Sequence, residues 1–591
     1  MSVAIPAPED VQASRCAALV DEWVRAGVTQ AVVCPGSRST PMVMALAAEP
    51  RVDLHVRLDE RSAGFTALGI GLATGRPAVI SVTSGTAAAE LHPAVVEADL
   101  ARVPLIVCTA DRPPELQGVG APQTIAQGGL YGTAVRFEVD LGVADWAGRS
   151  SWRSLGSRLV AEALAGPRGP GPVQLNLPCR EPLVGQPLAL PPGRPEGAPW
   201  HQAWRPPVGG PGPVELLGSV LVGPDRVARS GLIVAGGGAG DPEAVLALAG
   251  ALGWPVLADP RSGCRLDRPG VVAAADAILR EPAAAFRLRP DVVIRLGAPW
   301  ASKVVGVALE EAVAAGGTEI LVDPHWAWAD PDRRAAVVVA AEPGAWCRSV
   351  VAGLTEAEVS PSPFPWLAGW TEAEGAAQEA ISDWCDAQRG VTEPGLARAL
   401  VEALPAGASL VVSSSMPVRD VEWFGPARPD SLRVLANRGA NGIDGVVSTA
   451  LGVALTGGPV VALVGDLAFL HDLTALVRPA GFDPPLTVVV ADNGGGGIFS
   501  FLLQAETLEL DWFEALFGTP QAVDPAAAAA GLGIPVREVA GIEAFRTALE
   551  EGLAGGGLSV ICVRLPERPV NTVLHQELQG QVGAALERLF G

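Results

Sequence analysis

Two short apolar runs in the last third of the chain constrain the fold most. Val460–Val464 is apolar throughout, Leu486–Ala491 is apolar except for Thr487, and both are bounded by glycine, proline or polar residues. Runs of this length are too short for helices and are typical of buried strands in a parallel sheet. The first run leads to Asp466 and the second to Asn493, so we expect both side chains at the carboxyl ends of parallel strands, where open α/β sheets bind ligands.

These strand ends predict a site for Mg²⁺ and a diphosphate. Mg²⁺ prefers hard oxygen ligands and is usually held by few protein groups together with phosphate oxygens. Asp466 offers a carboxylate, Asn493 offers a neutral amide oxygen, and the glycine run that follows lets a backbone carbonyl approach, for which we expect Gly495. An Asp and an Asn in ordinary loops are the alternative. The 27-residue offset, with two buried strands and a glycine run, favours the metal site.

Alternating strand and helix patterns predict an α/β fold with three doubly wound parallel-sheet domains. We expect a first domain over 1–185, a central domain over 214–360 and a third domain over 375–591. Residues 186–213 carry nine prolines, which indicates a linker or a wrapping arm. A GGGAGD segment in the central domain lacks the third glycine of a dinucleotide fingerprint and has Asp241 there, which favours a tight turn over nucleotide binding.

Composition argues against several classes of partner. The chain has 42 Lys and Arg against 64 Asp and Glu, and the net charge of −22 argues against nucleic acid or an anionic membrane surface. No apolar run approaches the length of about 18 residues that a membrane span needs. The N-terminal residues lack the regions of a signal peptide, and the eight cysteines are scattered without a C-x-x-C pair. We therefore expect a cytoplasmic protein.

Two residues outside the metal motif are candidates for chemistry. Glu60 ends the second predicted strand, and a carboxylate in a ligand crevice has a raised pKa when it is desolvated, so it can exchange protons near neutrality. Lys303 is the single Lys beside 41 Arg. A function that needs a compact ammonium group rather than a planar guanidinium is one explanation for Lys303, and a chance surface residue is the other.

Six motifs together resemble one family of thiamin diphosphate (ThDP)-dependent enzymes. They are PGSRSTP, DERSAGF, TSGTAAAELHPAVVEA, ADRPPEL, ANRGANGIDG and DNGGGGIFSF. Through them the chain is similar, over all three domains, to the MenD family of 2-succinyl-5-enolpyruvyl-6-hydroxy-3-cyclohexene-1-carboxylate (SEPHCHC) synthases in the menaquinone pathway. The predicted metal motif also resembles that of ThDP enzymes, with Leu467 in place of a glycine and Asp492 in place of an asparagine.

The resemblance implies a transferase of the carboligase type. Such an enzyme decarboxylates 2-oxoglutarate on ThDP and adds the succinyl carbanion to isochorismate in a conjugate addition, with Mg²⁺, or Mn²⁺ in its place, as the metal. The first domain would bind the pyrimidine ring of the cofactor, and the third domain would bind the diphosphate and the metal. Because the two parts of such sites come from different subunits, the resemblance implies a homodimer, or a homotetramer built from two dimers.

The resemblance also assigns individual residues. Glu60 matches the glutamate that activates the cofactor, Ile443 matches the apolar residue that supports it, and Asp466, Asn493 and the Gly495 carbonyl match the metal ligands. The positions that match substrate-binding residues are Ser37, Arg38, Arg112, Gln123, Lys303, Ser415, Arg419, Arg438, Ile498, Phe499 and Leu502. Pro122 stands where the family has an asparagine and offers no side-chain donor. The arginines suit dicarboxylate substrates, which they can bind in a bidentate manner.

Two other functions stay open at this point. The first is another ThDP-dependent 2-oxo acid decarboxylase or carboligase, although a substrate such as pyruvate carries one carboxylate and needs fewer cationic residues. The incomplete fingerprint of the central domain gives no indication of FAD. The second is a non-catalytic regulator with the ThDP-enzyme fold, against which the intact Glu60, Asp466 and Asn493 argue.

Overall fold

The computed structural model describes residues 6–202, 218 and 220–591, and its strands form three sheets of six strands each. The strand pairs within these sheets are parallel, and helices lie between most successive strands. This confirms the predicted α/β fold with three doubly wound parallel sheets. Each sheet with its helices is called a domain below. Among the described residues, no helix combines the length and the apolar content that a bilayer crossing requires.

The first sheet lies between Gln30 and Pro178. Its strands are β1 (Gln30–Val33), β2 (Asp53–Val56), β3 (Ala78–Val82), β4 (Leu105–Asp111), β5 (Phe137–Asp140) and β6 (Pro172–Pro178). Its helices are α1 (Pro8–Arg25), α2 (Thr40–Ala48), α3 (Glu60–Thr74), α4 (Thr86–Glu90), α5 (His92–Ala101) and α6 (Trp152–Ala165). The strand order is β2-β1-β3-β4-β6-β5. β3, β4 and β6 are buried along their whole length, so the core lies against the middle of the sheet.

The central sheet has a different order. Its strands are β7 (Gly231–Ala235), β8 (Val256–Ala258), β9 (Val271–Val272), β10 (Val292–Leu296), β11 (Thr318–Val322) and β12 (Ala335–Val339). Its helices are α7 (Pro242–Leu252), α8 (Ala275–Leu279), α9 (Pro282–Arg287), α10 (Lys303–Ala314) and α11 (Pro343–Glu356). The order β12-β11-β10-β7-β8-β9 is that of dinucleotide-binding folds. Asp241 caps α7 by accepting from the Glu243 backbone N–H at 3.2 Å, as expected of a tight strand–helix turn.

The third sheet repeats the order of the first. Its strands are β13 (Ser409–Val412), β14 (Arg433–Leu435), β15 (Val460–Gly465), β16 (Leu486–Asp492), β17 (Val536–Val539) and β18 (Ser559–Arg564), ordered β14-β13-β15-β16-β18-β17. Its helices are α12 (Phe364–Ala387), α13 (Glu393–Ala403), α14 (Met416–Phe424), α15 (Val446–Ala454), α16 (Asp466–His471), α17 (Leu503–Thr507), α18 (Leu510–Phe513), α19 (Pro525–Gly531), α20 (Ile542–Gly555) and α21 (Arg568–Phe590). A π-helical turn covers Glu514–Gly518.

The described part of the proline-rich segment, 186–202, runs along α1. The Gln186 backbone N–H donates to Asp10 and the Leu188 N–H donates to Ser14, each at 2.8 Å. The rest of the predicted linker, 203–213, and the first residues of the predicted central domain, 214–217, lie outside the described residues.

The first and third domains meet through tightly packed helices and buried polar contacts. A Cβ on Gly69 of α3 would lie 2.1 Å from the Thr449 carbonyl oxygen of α15, so only glycine permits this approach of the helices. The Ser62 hydroxyl lies 2.9 Å from Ser448 Oγ, and the Ser448 hydroxyl donates to Asp472 Oδ1 at 2.9 Å. These contacts fix the start of α3 against the end of α16.

Arg265 joins the central and third domains. Its guanidinium is buried and donates to five backbone carbonyl oxygens, at distances of 2.8 to 3.1 Å. Three of these carbonyls belong to Val421, Glu422 and Gly425, at the C-terminal end of α14. Because the last carbonyls of a helix have no partner within the helix, Arg265 caps α14 and fixes it to the central domain.

Candidate active site

A cavity of about 400 Å³ lies at the carboxyl ends of β13, β15 and β16. The described residues that line it belong to the third domain and run from Glu393 to Phe499. They bring together seven of the residues singled out from the sequence, namely Ser415, Ile443, Asp466, Asn493, Gly495, Ile498 and Phe499. Two apolar runs of the sequence thus lead to one site, because β15 and β16 are neighbours in register.

Asp466 is the first residue of α16 and is 6 % exposed. Its Oδ1 accepts the Leu467 backbone N–H at 2.9 Å. Burial raises the pKa of Asp466 to about 7, although the backbone N–H groups of Leu467 and Gly495 lower it. A cation bound here would favour the ionised carboxylate and reverse that shift.

Asn493 and Gly495 follow β16. The Asn493 side-chain NH₂ group donates to Glu393 Oε1 at 2.5 Å, whereas its buried Oδ1 has no hydrogen-bond partner among the described residues. Gly495 has a φ of 136°, and a Cβ there would lie 2.2 Å from the Gly518 carbonyl oxygen, so only glycine can occupy the position. The glycine run therefore lets the backbone come close to the cavity.

Two residues, Leu467 and Asp492, depart from the metal motif of ThDP enzymes, and they have different surroundings in the structure. Leu467 lines the cavity beside Asp466. Asp492, which is opposite Arg564 in the register of β16 and β18, forms an ion pair with it through Oδ2. The Asp492 carboxylate is thereby neutralised by Arg564, so it does not add an unpaired anion next to Asn493.

Ser415 connects β13 to α14 in a strained conformation. Its φ of 75° and ψ of −134° are rare for a residue with a side chain, and such strain is concentrated at functional sites. The Arg419 guanidinium donates to the Ser415 carbonyl oxygen at 2.5 Å. The loop therefore places a hydroxyl on the cavity wall and an arginine next to it.

Arg419 and Arg438 form a cationic cluster that also includes Arg261 of the central domain. Burial and the positive charges of Arg261 and Arg419 lower the pKa of Arg438. Arg261 itself is held by Asp259, to which it donates at 2.8 and 3.0 Å. Arg261 was not predicted from the sequence, although it follows the three-residue strand β8. Its segment, DPRSG, has the same strand-end position as the predicted site residues.

Loops of the first domain bring Arg112 and Gln123 together. Arg112 Nε donates to the Pro122 carbonyl oxygen at 3.2 Å, and its Nη2 donates to Gln123 Oε1 at 3.4 Å. The Gln123 backbone would be 3.3 Å from a Cβ on Gly85, so this loop packs on the TSGT turn. Although Pro122 has no side-chain donor, its carbonyl holds Arg112 in place.

Glu60 and Arg38 lie at other strand ends of the same domain. Glu60 begins α3 and is half-buried, and burial together with the nearby Asp59 carboxylate raises its pKa above the usual value. Arg38 is buried and donates to Glu181 Oε1 at 3.0 Å, while the neighbouring Ser37 is exposed. Among the described residues that line the third-domain cavity, none comes from this domain.

Lys303 and Leu502 lie away from the cavity lining. Lys303 is the exposed first residue of α10 and lines a separate groove between α9, α10 and α21. Leu502 is half-buried, and its backbone N–H donates to the Phe499 carbonyl at 3.1 Å, so it follows the wall that Phe499 forms.

A buried polar cluster at the cavity wall, formed by Glu393, Asp420 and His575, was not predicted from the sequence. His575 Nε2 lies 2.8 Å from Asp420 Oδ1, and its Nδ1 lies 2.9 Å from the Asn571 carbonyl oxygen. Burial opposes a charge on this ring, but the Asp420 and Glu393 carboxylates raise its pKa above the usual value. Asp420 precedes His575 by 155 positions, and Glu393 is more distant still, so no local motif connects these residues.

Comparisons with known proteins agree with this geometry. The family models of thiamine pyrophosphate enzymes match in three parts: the N-terminal TPP binding domain over residues 16–130, the middle domain over 225–412 and the C-terminal TPP binding domain over 426–563. Thiamine pyrophosphate is another name for ThDP. The class that fold and site define is therefore the ThDP-dependent enzymes.

Curated relatives narrow this class to one family. The SEPHCHC synthase of Myxococcus xanthus is 42 % identical over 587 residues, covering 96 % of this chain and 97 % of that protein. That of Geobacillus kaustophilus is 42 % identical and covers 97 % and 98 %, and that of Thermobifida fusca is 43 % identical and covers 96 % and 98 %. The chain belongs to the SEPHCHC synthase family of ThDP-dependent carboligases, as its motifs predicted.

Family membership implies ThDP and a divalent metal ion, typically Mg²⁺, and the cavity suits both. Asp466 and Asn493 offer hard oxygen atoms, and the Asn493 oxygen is buried without a protein partner among the described residues. A buried acceptor without a hydrogen bond costs about 1–3 kcal/mol, and a bound cation would remove that cost. Among the described lining residues, the carboxylate and amide oxygens supply the donor chemistry that a Mg²⁺–diphosphate group requires.

Proposed function

We propose that this chain catalyses the SEPHCHC synthase reaction, in which 2-oxoglutarate is decarboxylated and the remaining four-carbon unit is added to isochorismate. The observation that carries the proposal is the unpartnered Asn493 oxygen beside the buried Asp466 carboxylate, in a cavity next to the Arg419 and Arg438 cluster of the described chain. The oxygens suit a metal-bound diphosphate, and the arginines suit substrates with two carboxylates each.

In this proposal Asp466, Asn493 and the Gly495 carbonyl hold the metal, and Ile443 supports the cofactor from the cavity wall. Bound ThDP supplies a carbon nucleophile and an electron sink for the decarboxylation. Glu60 holds a proton for the pyrimidine ring of the cofactor, and its raised pKa suits proton exchange near neutrality.

The substrate carboxylates would be bound by arginines from two directions. Arg38 and Arg112 belong to the first domain, together with Ser37 and Gln123, and Arg419 and Arg438 belong to the third, together with Ser415. Ile498, Phe499 and Leu502 would form the apolar wall of the same site. Lys303 lines a separate groove in the structure, so its role in substrate binding stays a prediction that rests on the family resemblance.

A second copy of the chain would complete the site. The described lining of the cavity lacks Glu60 and the rest of the first domain, which supports a carboxylate supplied by a second copy. Large apolar side chains near Glu60 and Arg38 are exposed on the single chain, including Leu58 at 67 % and Met44 at 59 %. Exposed apolar surface of this kind marks interfaces. The proposal is therefore a homodimer, with a homotetramer of two dimers as its extension.

The proposal also includes domain boundaries and a location in the cell. In it the pyrimidine-binding domain covers 1–185, the linker 186–213, the central domain 214–360 and the diphosphate-binding domain 375–591. The sheets described above fall within these ranges. The eight cysteines are unpaired, which suits the proposed cytoplasmic location.

The test is consumption of isochorismate by the purified protein with ThDP, Mg²⁺ and 2-oxoglutarate, each omitted in turn. The proposal predicts that isochorismate disappears only when all three are present. Release of CO₂ from 2-oxoglutarate without loss of isochorismate would replace it with another ThDP-dependent decarboxylase. Bound ThDP without any turnover would replace it with a regulatory protein.

A further inference from the structure

Glu393 contacts the side chain of Asn493, and both residues line the cavity. It is the first residue of α13 and is 4 % exposed, and its Oε1 accepts the Asn493 Nδ2–H at 2.5 Å. The two residues are 100 positions apart in the sequence. The Glu393 oxygen accepts this hydrogen bond, and within the Asn493 amide only the NH₂ group can donate it.

The other side of the NH₂ group is also closed. A Cβ on Gly497 would lie 2.6 Å from Asn493 Nδ2, so this glycine leaves just enough space for the amide. The remaining amide atom, Oδ1, is buried and has no partner among the described residues, and Asn493 lines the cavity. With the nitrogen held by Glu393 and enclosed by Gly497, the oxygen is the atom left free for a cation.

We propose that Glu393 is a positioning residue for the metal site: its carboxylate fixes the Asn493 amide so that the oxygen, and not the nitrogen, faces the cation. The inference rests on the proposed role of Asn493 as a metal ligand. It also gives a reason for a neutral ligand at this position, because a second carboxylate there would face Glu393 directly. Partners that orient a metal ligand in this way typically change metal affinity by about 10- to 100-fold.

The test is a double-mutant cycle that reverses the polarity of this hydrogen bond. The variants are Asn493→Asp, Glu393→Gln and the two combined, in the full-length protein. The apparent Mg²⁺ affinity is measured without substrates, from the Mg²⁺ dependence of ThDP binding in tryptophan fluorescence. We expect Asn493→Asp alone to weaken Mg²⁺ by about 10-fold or more, because two carboxylates then face each other. In the Glu393→Gln background the glutamine NH₂ group donates to the introduced carboxylate. Asn493→Asp should therefore weaken Mg²⁺ binding by less than about 3-fold in that background.

If Asn493→Asp lowered the Mg²⁺ affinity equally in the two backgrounds, the proposed role of Glu393 would be overturned. The proposed metal assignment has its own arm, Asn493→Ala: unchanged Mg²⁺ affinity there would overturn the assignment itself. Glu374→Gln is the matched control, since Glu374 is a half-buried carboxylate that accepts from the Ala274 N–H and Gln378 Nε2. The Mg²⁺ affinity of this variant should equal that of the unaltered protein. A loss as large as that of the Glu393→Gln variant would contradict a specific role of Glu393.

Gly497→Ala tests the same geometry without changing a charge and serves if Asn493→Asp does not fold. The added methyl group displaces the Asn493 amide, and the Mg²⁺ affinity should fall by about 10-fold with Glu393 intact. Gly494→Ala is a poor comparison because Gly494 has a φ of 78°. Gly555→Ala is better, since Gly555 lies in α20 outside the cavity lining and no atom lies within 4 Å of an added Cβ. Equal affinities of the Gly497→Ala and Gly555→Ala variants would overturn the inference.

Discussion

The first and third domains have the same strand order but carry different side chains at their strand ends. In both sheets the loops after parallel strands carry the polar residues of interest. The third domain closes these loops around a cavity with buried oxygen atoms, whereas the first presents Glu60 and arginines next to exposed apolar surface. The topology fixes where a site lies, and the side chains decide whether it is a metal site or half of a substrate site.

The strongest test of this division compares Glu60→Gln with Asp466→Ala. Glu60→Gln should lower activity by about 10²–10⁴-fold with little change in ThDP affinity, because it removes proton exchange only. Asp466→Ala should weaken ThDP binding by about 100-fold or more, because it removes a metal ligand. Calorimetric ThDP titration and isochorismate consumption distinguish the two effects. The division fails if Glu60→Gln abolishes ThDP binding while Asp466→Ala leaves it intact.

A second test concerns Arg265 of the central domain, which caps α14 of the third domain. Arg265→Met leaves five backbone carbonyls without their buried donor and should lower the free energy of unfolding by about 4 kcal/mol. Urea unfolding measures this change. Arg268→Met is the control, because Arg268 is exposed and reaches Glu243 only at 3.7 Å. Equal stability of the two variants would contradict the capping role.

Asp472 lies at the junction of the first and third domains, and we expect it to make the stability of the fold depend on pH. Burial and the Asp59 carboxylate raise the pKa of Asp472 to about 6, while Ser448 and Arg61 lower it. Because the folded protein then binds a proton more tightly than the unfolded chain, Asp472 stabilises the fold less as the pH rises from about 4 to 6. The shift of about 2 units corresponds to about 3 kcal/mol. The stability advantage of the unaltered protein over Asp472→Asn should therefore shrink by that amount between about pH 4 and pH 7, and a pH-independent or growing difference would contradict it.

The smallest expected effect comes from one arginine of the first domain. Arg112→Met should raise the KM of one substrate by about 10-fold and leave ThDP affinity unchanged, since a charged hydrogen bond contributes about 1.5–3 kcal/mol. Steady-state kinetics with each substrate varied in turn measures this effect. Arg158→Met is the control on the exposed face of α6, where Arg158 pairs with Glu162. A change in ThDP affinity instead of KM would place Arg112 in the cofactor site.

Much of the fold was predictable because the central strands are continuous apolar runs. The predicted strands Val460–Val464 and Leu486–Ala491 correspond to β15 and β16, which each extend one residue further. Strands with little buried apolar sequence were missed. They are β5, β8, β9, β12 and β17, of which β9 has two residues and β5 and β12 are half-buried or exposed along their length. The third domain is predicted to begin at 375, whereas α12 already begins at Phe364.

The candidate site was predictable where one strand end carries one motif. Asp466 and Asn493 follow buried strands directly, so the sequence alone brings them together. Glu393 and Arg261 approach the site from α13 and from another domain, and a contact across 100 residues leaves no local pattern. The side-chain roles depend on such long-range contacts, whereas the position of the site depends only on the strand order.

Mixing two inactive variants tests most directly whether the two domains supply halves of one site. Glu60→Gln protein and Asp466→Ala protein are combined, allowed to exchange subunits, and assayed for isochorismate consumption. If each site takes Glu60 from one copy and Asp466 from the other, each mixed dimer has one intact site. An equal mixture should then recover about a quarter of the original activity, because about half of the dimers are mixed and each has one of two sites intact. Activity that stays at the level of the separate variants after subunit exchange would contradict the account.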